Sequence, residues 1–121
     1  LIIDGDTSSR CGISMKGIDI IVKGSVGHMS AFMAQSGNMV VCGDAGEALG
    51  DSLYEAKLFV RGSVKSLGAD CEEKKVTKKD LELLTSLLKK GSIKNVKPKD
   101  FKKYGSAKKL YNFNIDNVSE Y

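Results

Sequence analysis

The chain has 121 residues, 41% of them hydrophobic and 28% charged, with a formal net charge of +4. That length suits one compact domain with a small appendage and excludes a two-domain enzyme. No apolar run approaches the roughly 20 residues of a membrane-spanning helix, so no contact with the bilayer interior is expected and a cytoplasmic setting is.

In chain order, the first feature is a short apolar run that keeps returning. Leu1-Ile2-Ile3 is followed by Ile20-Ile21-Val22, Met39-Val40-Val41 and Leu58-Phe59-Val60. Each run is followed by one residue and then by a glycine, so that Gly5, Gly24, Gly43 and Gly62 stand 19 residues apart. A second small-residue column holds Gly12, Ala31 and Gly50, and a third holds Ser8, Gly27 and Gly46. Helical repeats would not tolerate several glycines per unit, each costing about 1 kcal/mol inside a helix. The leucine-rich pattern is absent as well. β-Branched runs between glycine turns suit strands, and units of equal length stack them in parallel.

The expectation is therefore an all-β fold: a single-stranded right-handed parallel β-helix with 19-residue coils over residues 1–71, followed by a small α-helical C-terminal tail over 72–121. The eight glycines of the three columns, Gly5, Gly24, Gly43, Gly62, Gly12, Gly50, Gly27 and Gly46, are expected at coil corners, where φ > 0 or close approach excludes a Cβ. Strand side chains alternate between faces. If the first and third columns face inward, the middle column, Ile2, Ile21, Val40 and Phe59, faces out and needs a cover. The chain's own C-terminal helix is the preferred cover. The opening Leu-Ile-Ile-Asp lacks a secretory signal and points to a fragment or processed product, whose exposed strand edge at Leu1 to Ile3 would invite a neighbouring domain, a partner subunit or a second copy.

After Asp70 the glycine period stops. Val76 to Lys90 reads as an amphipathic helix with Thr77 as N-cap, Asp80 completing a capping box, and Leu81, Leu84, Leu87 and Leu88 as its apolar stripe. Gly91 is its stop. Pro98 opens a second short element through Tyr104, and Tyr111 to Ile115 looks extended. Charge is divided just as sharply. Residues 1–73 carry 6 basic and 10 acidic side chains, whereas 74–109 carry 13 lysines against Asp80, Glu82 and Asp100.

The residues that could carry chemistry are few. Cys11, Cys42 and Cys71 form no Cys-x-x-Cys pair and suit idle thiols rather than a metal or redox centre. His28 is the single histidine and sits out of column with Cys11. Asp6, Asp44 and Asp51 lie beside glycines, where aspartate usually bonds its own backbone. Neither nucleotide-binding glycine motif occurs. The lysine segment has no arginine and no stacking platform, so it reads as a solvated face, with a basic nucleic-acid-binding module as the alternative. No catalytic, cofactor-binding or metal-binding residue is assigned.

The repeats, clearest in Gly-Asp-Ala-Gly-Glu-Ala-Leu-Gly-Asp-Ser-Leu-Tyr-Glu-Ala at 43–56, resemble the GXGXG family. This is the β-helical C-terminal domain of the glutamate synthase large (alpha) subunit, with its stand-alone relatives. The stretch from Tyr104 to Asn114 looks like the end of the separate-subunit members, and the third subunit (C) of formylmethanofuran dehydrogenase is similar across the repeats. The resemblance implies a non-catalytic scaffold within a glutamate-synthase-like oxidoreductase. Its partners would be glutamine amidotransferase-like and flavin-containing domains or subunits. FMN and an iron–sulfur cluster would reside on a partner, and this chain would bind neither. A formylmethanofuran dehydrogenase scaffold and an independent enzyme using Cys11 or His28 are the competing expectations.

Overall fold

The computed structural model describes residues 1–7, 11–12, 15–31 and 33–107. Ser8 and the Tyr111 to Ile115 stretch lie outside them. Four short strands follow the apolar runs: β1 (Ile2–Ile3), β2 (Ile18–Val22), β3 (Gly37–Val41) and β4 (Lys57–Val60). They pair in parallel with a constant offset, Ile2 against Ile21, Ile21 against Val40 and Val40 against Phe59. Strand β5 (Cys71–Lys74), helix α1 (Lys78–Lys90), a 3₁₀ turn at Pro98–Asp100 and strand β6 (Lys102–Ser106) complete the described elements.

The expectation of an all-β parallel β-helix with a helical tail is corrected here. The strands form one six-stranded open sheet of mixed sense, in the order β1-β2-β3-β4-β6-β5, with α1 packed on it in an α/β arrangement. Two physical causes account for the difference. First, the segments between the strands turn through left-handed conformations at Met29, Ala31, Met33, Ala48 and Ser52. Extended pairing cannot run through such residues, and among the described residues the segments contribute the isolated parallel bridges Val26–Ala45, Ala45–Val64 and Leu49–Leu67. Second, β6 returns antiparallel between β4 and β5, pairing Leu58 with Tyr104 and Cys71 with Ser106. The sheet thus takes strands from both sides of the composition change near residue 71.

Each face of the sheet has its own core. On one face the side chains of Ile20, Met39 and Leu58 and of Val22, Val41 and Val60 pack with Val26, Ala45, Leu49 and Leu53 from the turns. On the other, Ile21, Val40, Cys42 and Phe59 pack with Leu84, Leu87, Leu88 and Phe101. Helix α1 therefore covers the middle column, whose outermost member, Ile2, is still 46% exposed. Burying an apolar side chain of this size stabilises by about 2 kcal/mol, so this second core makes α1 integral to the fold.

Close approach dictates glycine at Gly24, Gly43 and Gly62 of the first column: a Cβ on Gly43 would lie 2.8 Å from the Gly24 carbonyl carbon, whereas one on Gly5 would meet nothing within 4 Å. In the second column the backbone is left-handed at Gly12, Ala31 and Gly50, with φ of 72°, 61° and 70°. Gly91 does not use its freedom, since its φ is −81°. It is small because Ile21 and Ile93 close over it, with methyl groups 3.3 Å from where a Cβ would stand.

Candidate functional site

Two polar constructions stand out from this frame. The first is a ladder along the turns that follow the parallel strands. The Ser25 N–H donates to Asp6 Oδ1 at 2.7 Å, the Asp44 N–H to Ser25 Oγ at 2.8 Å, and the Ser63 N–H to Asp44 Oδ1 at 2.8 Å. Each turn thus offers a side-chain acceptor to the next. Beside it, the Gly43 N–H donates to the Gly24 carbonyl and the Gly62 N–H to the Gly43 carbonyl. Asp6 and Asp44 were expected to bond their own turns and instead bond the neighbouring one. The signal for this was in the sequence: Asp6, Ser25, Asp44 and Ser63 recur at 19-residue spacing and are all short acceptors. Asp51 stands apart and accepts from the Ser52 hydroxyl at 3.0 Å.

The second construction is a buried ion centre that joins α1 to the sheet. Asp80 is 1% exposed. Its Oδ2 accepts from the Thr77 N–H and hydroxyl, both at 2.9 Å, and from Lys103 Nζ at 2.8 Å, while Lys57 Nζ stands 3.8 Å from Oδ1. The Asp80 N–H returns a bond to the Thr77 hydroxyl, so the capping box is complete. Strand alternation brings the two lysines there. Lys57 lies two residues from Phe59 on β4, and Lys103 sits opposite Phe59 on β6, so both project from the face that α1 covers. Burial by itself would raise the Asp80 carboxyl, but the Lys103 and Thr77 bonds outweigh it and hold the group at about 2. Asp80 was legible from sequence only as a capping residue, because Lys103 is 23 residues away and its strand was not foreseen.

With that geometry in hand, comparison with known proteins gives one relative to report. The chain is similar to Protein GlxC of Rhizobium meliloti (strain 1021). The two are 68% identical over 96 residues, which make up 79% of this chain and 42% of that protein. The chain therefore matches less than half of that relative's length. No family model matches the chain, and no solved structure matches it.

The remaining residues singled out from sequence are dispersed. Cys42 is buried on the α1 side of the sheet and Cys71 on the opposite side, while Cys11 is half-buried against the same core as Cys71. Burial pushes the Cys42 thiol up and the Cys71 thiol up to about 11. These are neutral thiols at physiological pH, unsuited to nucleophilic work. His28 is exposed in a turn. Among the described residues no cluster of three or more His, Cys, Asp or Glu side chains could hold a metal ion. No helix among them is long and apolar enough to cross a membrane.

Open clefts mark the surface of the described residues. One of about 510 Å³ is lined by Lys16, Met33, Gln35, Ser36, Tyr54 and Glu55. A second lies against the C-terminal end of α1, between Leu88, Ile93, Val96 and Pro98. Another, about 350 Å³, runs beside β1, where Leu1, Ile2, Ile18, Ile21 and Leu87 line it together with the charged Asp19 and Lys90. Of the lysines between 74 and 103, all but Lys74 and Lys103 are exposed.

Proposed function

We propose that this chain is a non-catalytic supporting part of a glutamate-synthase-like oxidoreductase, in which amidotransferase and flavin-bearing partners carry out the chemistry. The observation that supports this reading is how the residues of the 43–56 resemblance are employed. Gly43 carries the close approach of neighbouring turns, Asp44 links two of them by hydrogen bonds, and Ala45, Leu49, Leu53 and Ala56 fill the core. A stretch spent on stacking and packing in this way suits a rigid support whose neighbours do the catalysis. The flavin and the iron–sulfur cluster belong, on this reading, to those neighbours.

Co-expression of the chain with an amidotransferase-like and a flavin-bearing glutamate-synthase-like subunit from the same source is the test. Support would be one co-eluting complex whose flavin absorbance is absent from the chain alone. The reading fails if each partner is folded, the flavoprotein holds its flavin, and this chain still elutes by itself.

A further inference from the structure

We infer that the cleft at the C-terminal end of α1 is a docking site for an acidic segment of a partner protein, one that sets an apolar side chain between carboxylates. The cleft measures about 320 Å³. Leu88, Ile93, Val96 and Pro98 give it an aliphatic wall, and the exposed Lys89 and Lys94 line it with charge. Leu88, Ile93 and Val96 also belong to the core beneath α1, so the wall is fixed by packing. The turn after the helix is held as well, since the Ser92 N–H donates to the Lys89 carbonyl and the Ile93 N–H to the Leu88 carbonyl. An apolar side chain entering here meets a surface that is already formed.

Charge sets the sign of the occupant. Lys57 and Lys103, on the face that α1 covers, are met by Asp80, and Lys74 stands 3.1 Å from Glu72. By contrast, Lys89, Lys90, Lys94, Lys97, Lys99 and Lys102 are exposed and have no ion partner among the described residues. Between 89 and 102 they are opposed by a single acidic side chain, Asp100. Like charges crowded in this way repel one another, and a partner bearing carboxylates relieves the repulsion. Ser92 supplies a separate observation. It lines the same cleft in the left-handed region, with φ of 57°, at a place after the helix cap where glycine is usual. Its hydroxyl has no partner among the described residues, so serine here accepts backbone strain and leaves a donor at the cleft. The aliphatic wall favours a protein over a nucleic acid, because no aromatic or arginine side chain among the described residues lines the cleft to stack on a base. Such a partner need not be the flavin-bearing one, and the site does not depend on the oxidoreductase assembly proposed above.

The test titrates the peptide Glu-Glu-Leu-Leu-Glu-Asp into the isotope-labelled chain and follows the backbone amides by NMR. Shifts should concentrate at Thr85, Lys89, Ser92 and Lys94, with saturation below about 1 mM peptide. Lys89→Glu together with Lys94→Glu should weaken binding about tenfold or more. Lys78→Glu with Lys79→Glu, the same change of charge at the other end of α1, should weaken it about twofold or less. Ser92→Gly should raise the melting temperature by about 2 °C, by removing the left-handed strain, and weaken binding about threefold. The inference is overturned if an all-glutamate peptide of equal length binds as tightly, since bulk charge would then be the cause. It is overturned as well if a single-stranded oligonucleotide of equal charge binds more tightly at the same residues, or if no shift appears at about 1 mM peptide. Binding to the chain alone is the readout, so a negative result here is distinct from a failure of the co-expression experiment.

Discussion

Replacing Asp80 by asparagine tests whether the buried ion centre holds α1 on the sheet. The side chain keeps its shape and can still accept from the Thr77 N–H, but the charge that Lys103 meets at 2.8 Å is gone. The native carboxyl sits at about 2, against an ordinary value of 3.8. At about 1.4 kcal/mol per pKa unit, that depression is worth about 2 kcal/mol at neutral pH. For a chain of this size the unfolding entropy is about 0.25 kcal/mol/K, so the expected loss in melting temperature is about 8 °C. The sign in pH follows from the depressed folded value. The contribution is fully present above the unfolded pKa and is lost as pH falls through the folded one. The gap between native protein and D80N should therefore be constant from about pH 5 upward and close between about pH 4 and pH 2. Urea unfolding followed by helical circular dichroism across that range reads it directly. Equal stability at neutral pH, or a gap that persists undiminished in acid, would refute the reasoning.

Phe59→Ala should be the most damaging single change on the α1 side, because Phe59 is fully buried between Val40 and the leucines of α1. A loss of about 3–5 kcal/mol is expected, with Phe59→Leu costing about 1 kcal/mol, both read from urea midpoints. Thiol labelling with an aromatic disulfide at about pH 8 should modify Cys11 first. Cys71, held at about 11, presents roughly one thiolate in a thousand there, and Cys42 and Cys71 should react fast only in denaturant. Prompt native labelling of either would contradict the packing described for the two cores.

Much of the parallel part of the sheet is legible in the sequence. A 19-residue glycine period next to β-branched triplets constrains register, because strands of equal unit length can only align like with like, and Ile21, Val40 and Phe59 do meet in one column. The helix and its cap were equally readable, since Thr77 and Asp80 act within one turn. The sequence was misleading about what happens between the strands. Residues such as Met29, Met33 and Ala48 carry no mark of the left-handed conformations they adopt, and those conformations confine extended pairing to a single sheet.

Strand β6 marks the other boundary of sequence reading. Lys102–Ser106 has neither alternation nor β-branched residues, and becomes a strand because it fills the space between β4 and β5. From that placement come the mixed sense of the sheet, the seat of Tyr104 in the core and the bond from Lys103 to Asp80. Local chemistry, whether a period, a cap or an apolar stripe, is written in neighbouring residues and can be read from sequence alone. The pairing of Asp80 with a lysine 23 positions away depends on which surfaces the chain buries against each other, and only the tertiary structure decides that.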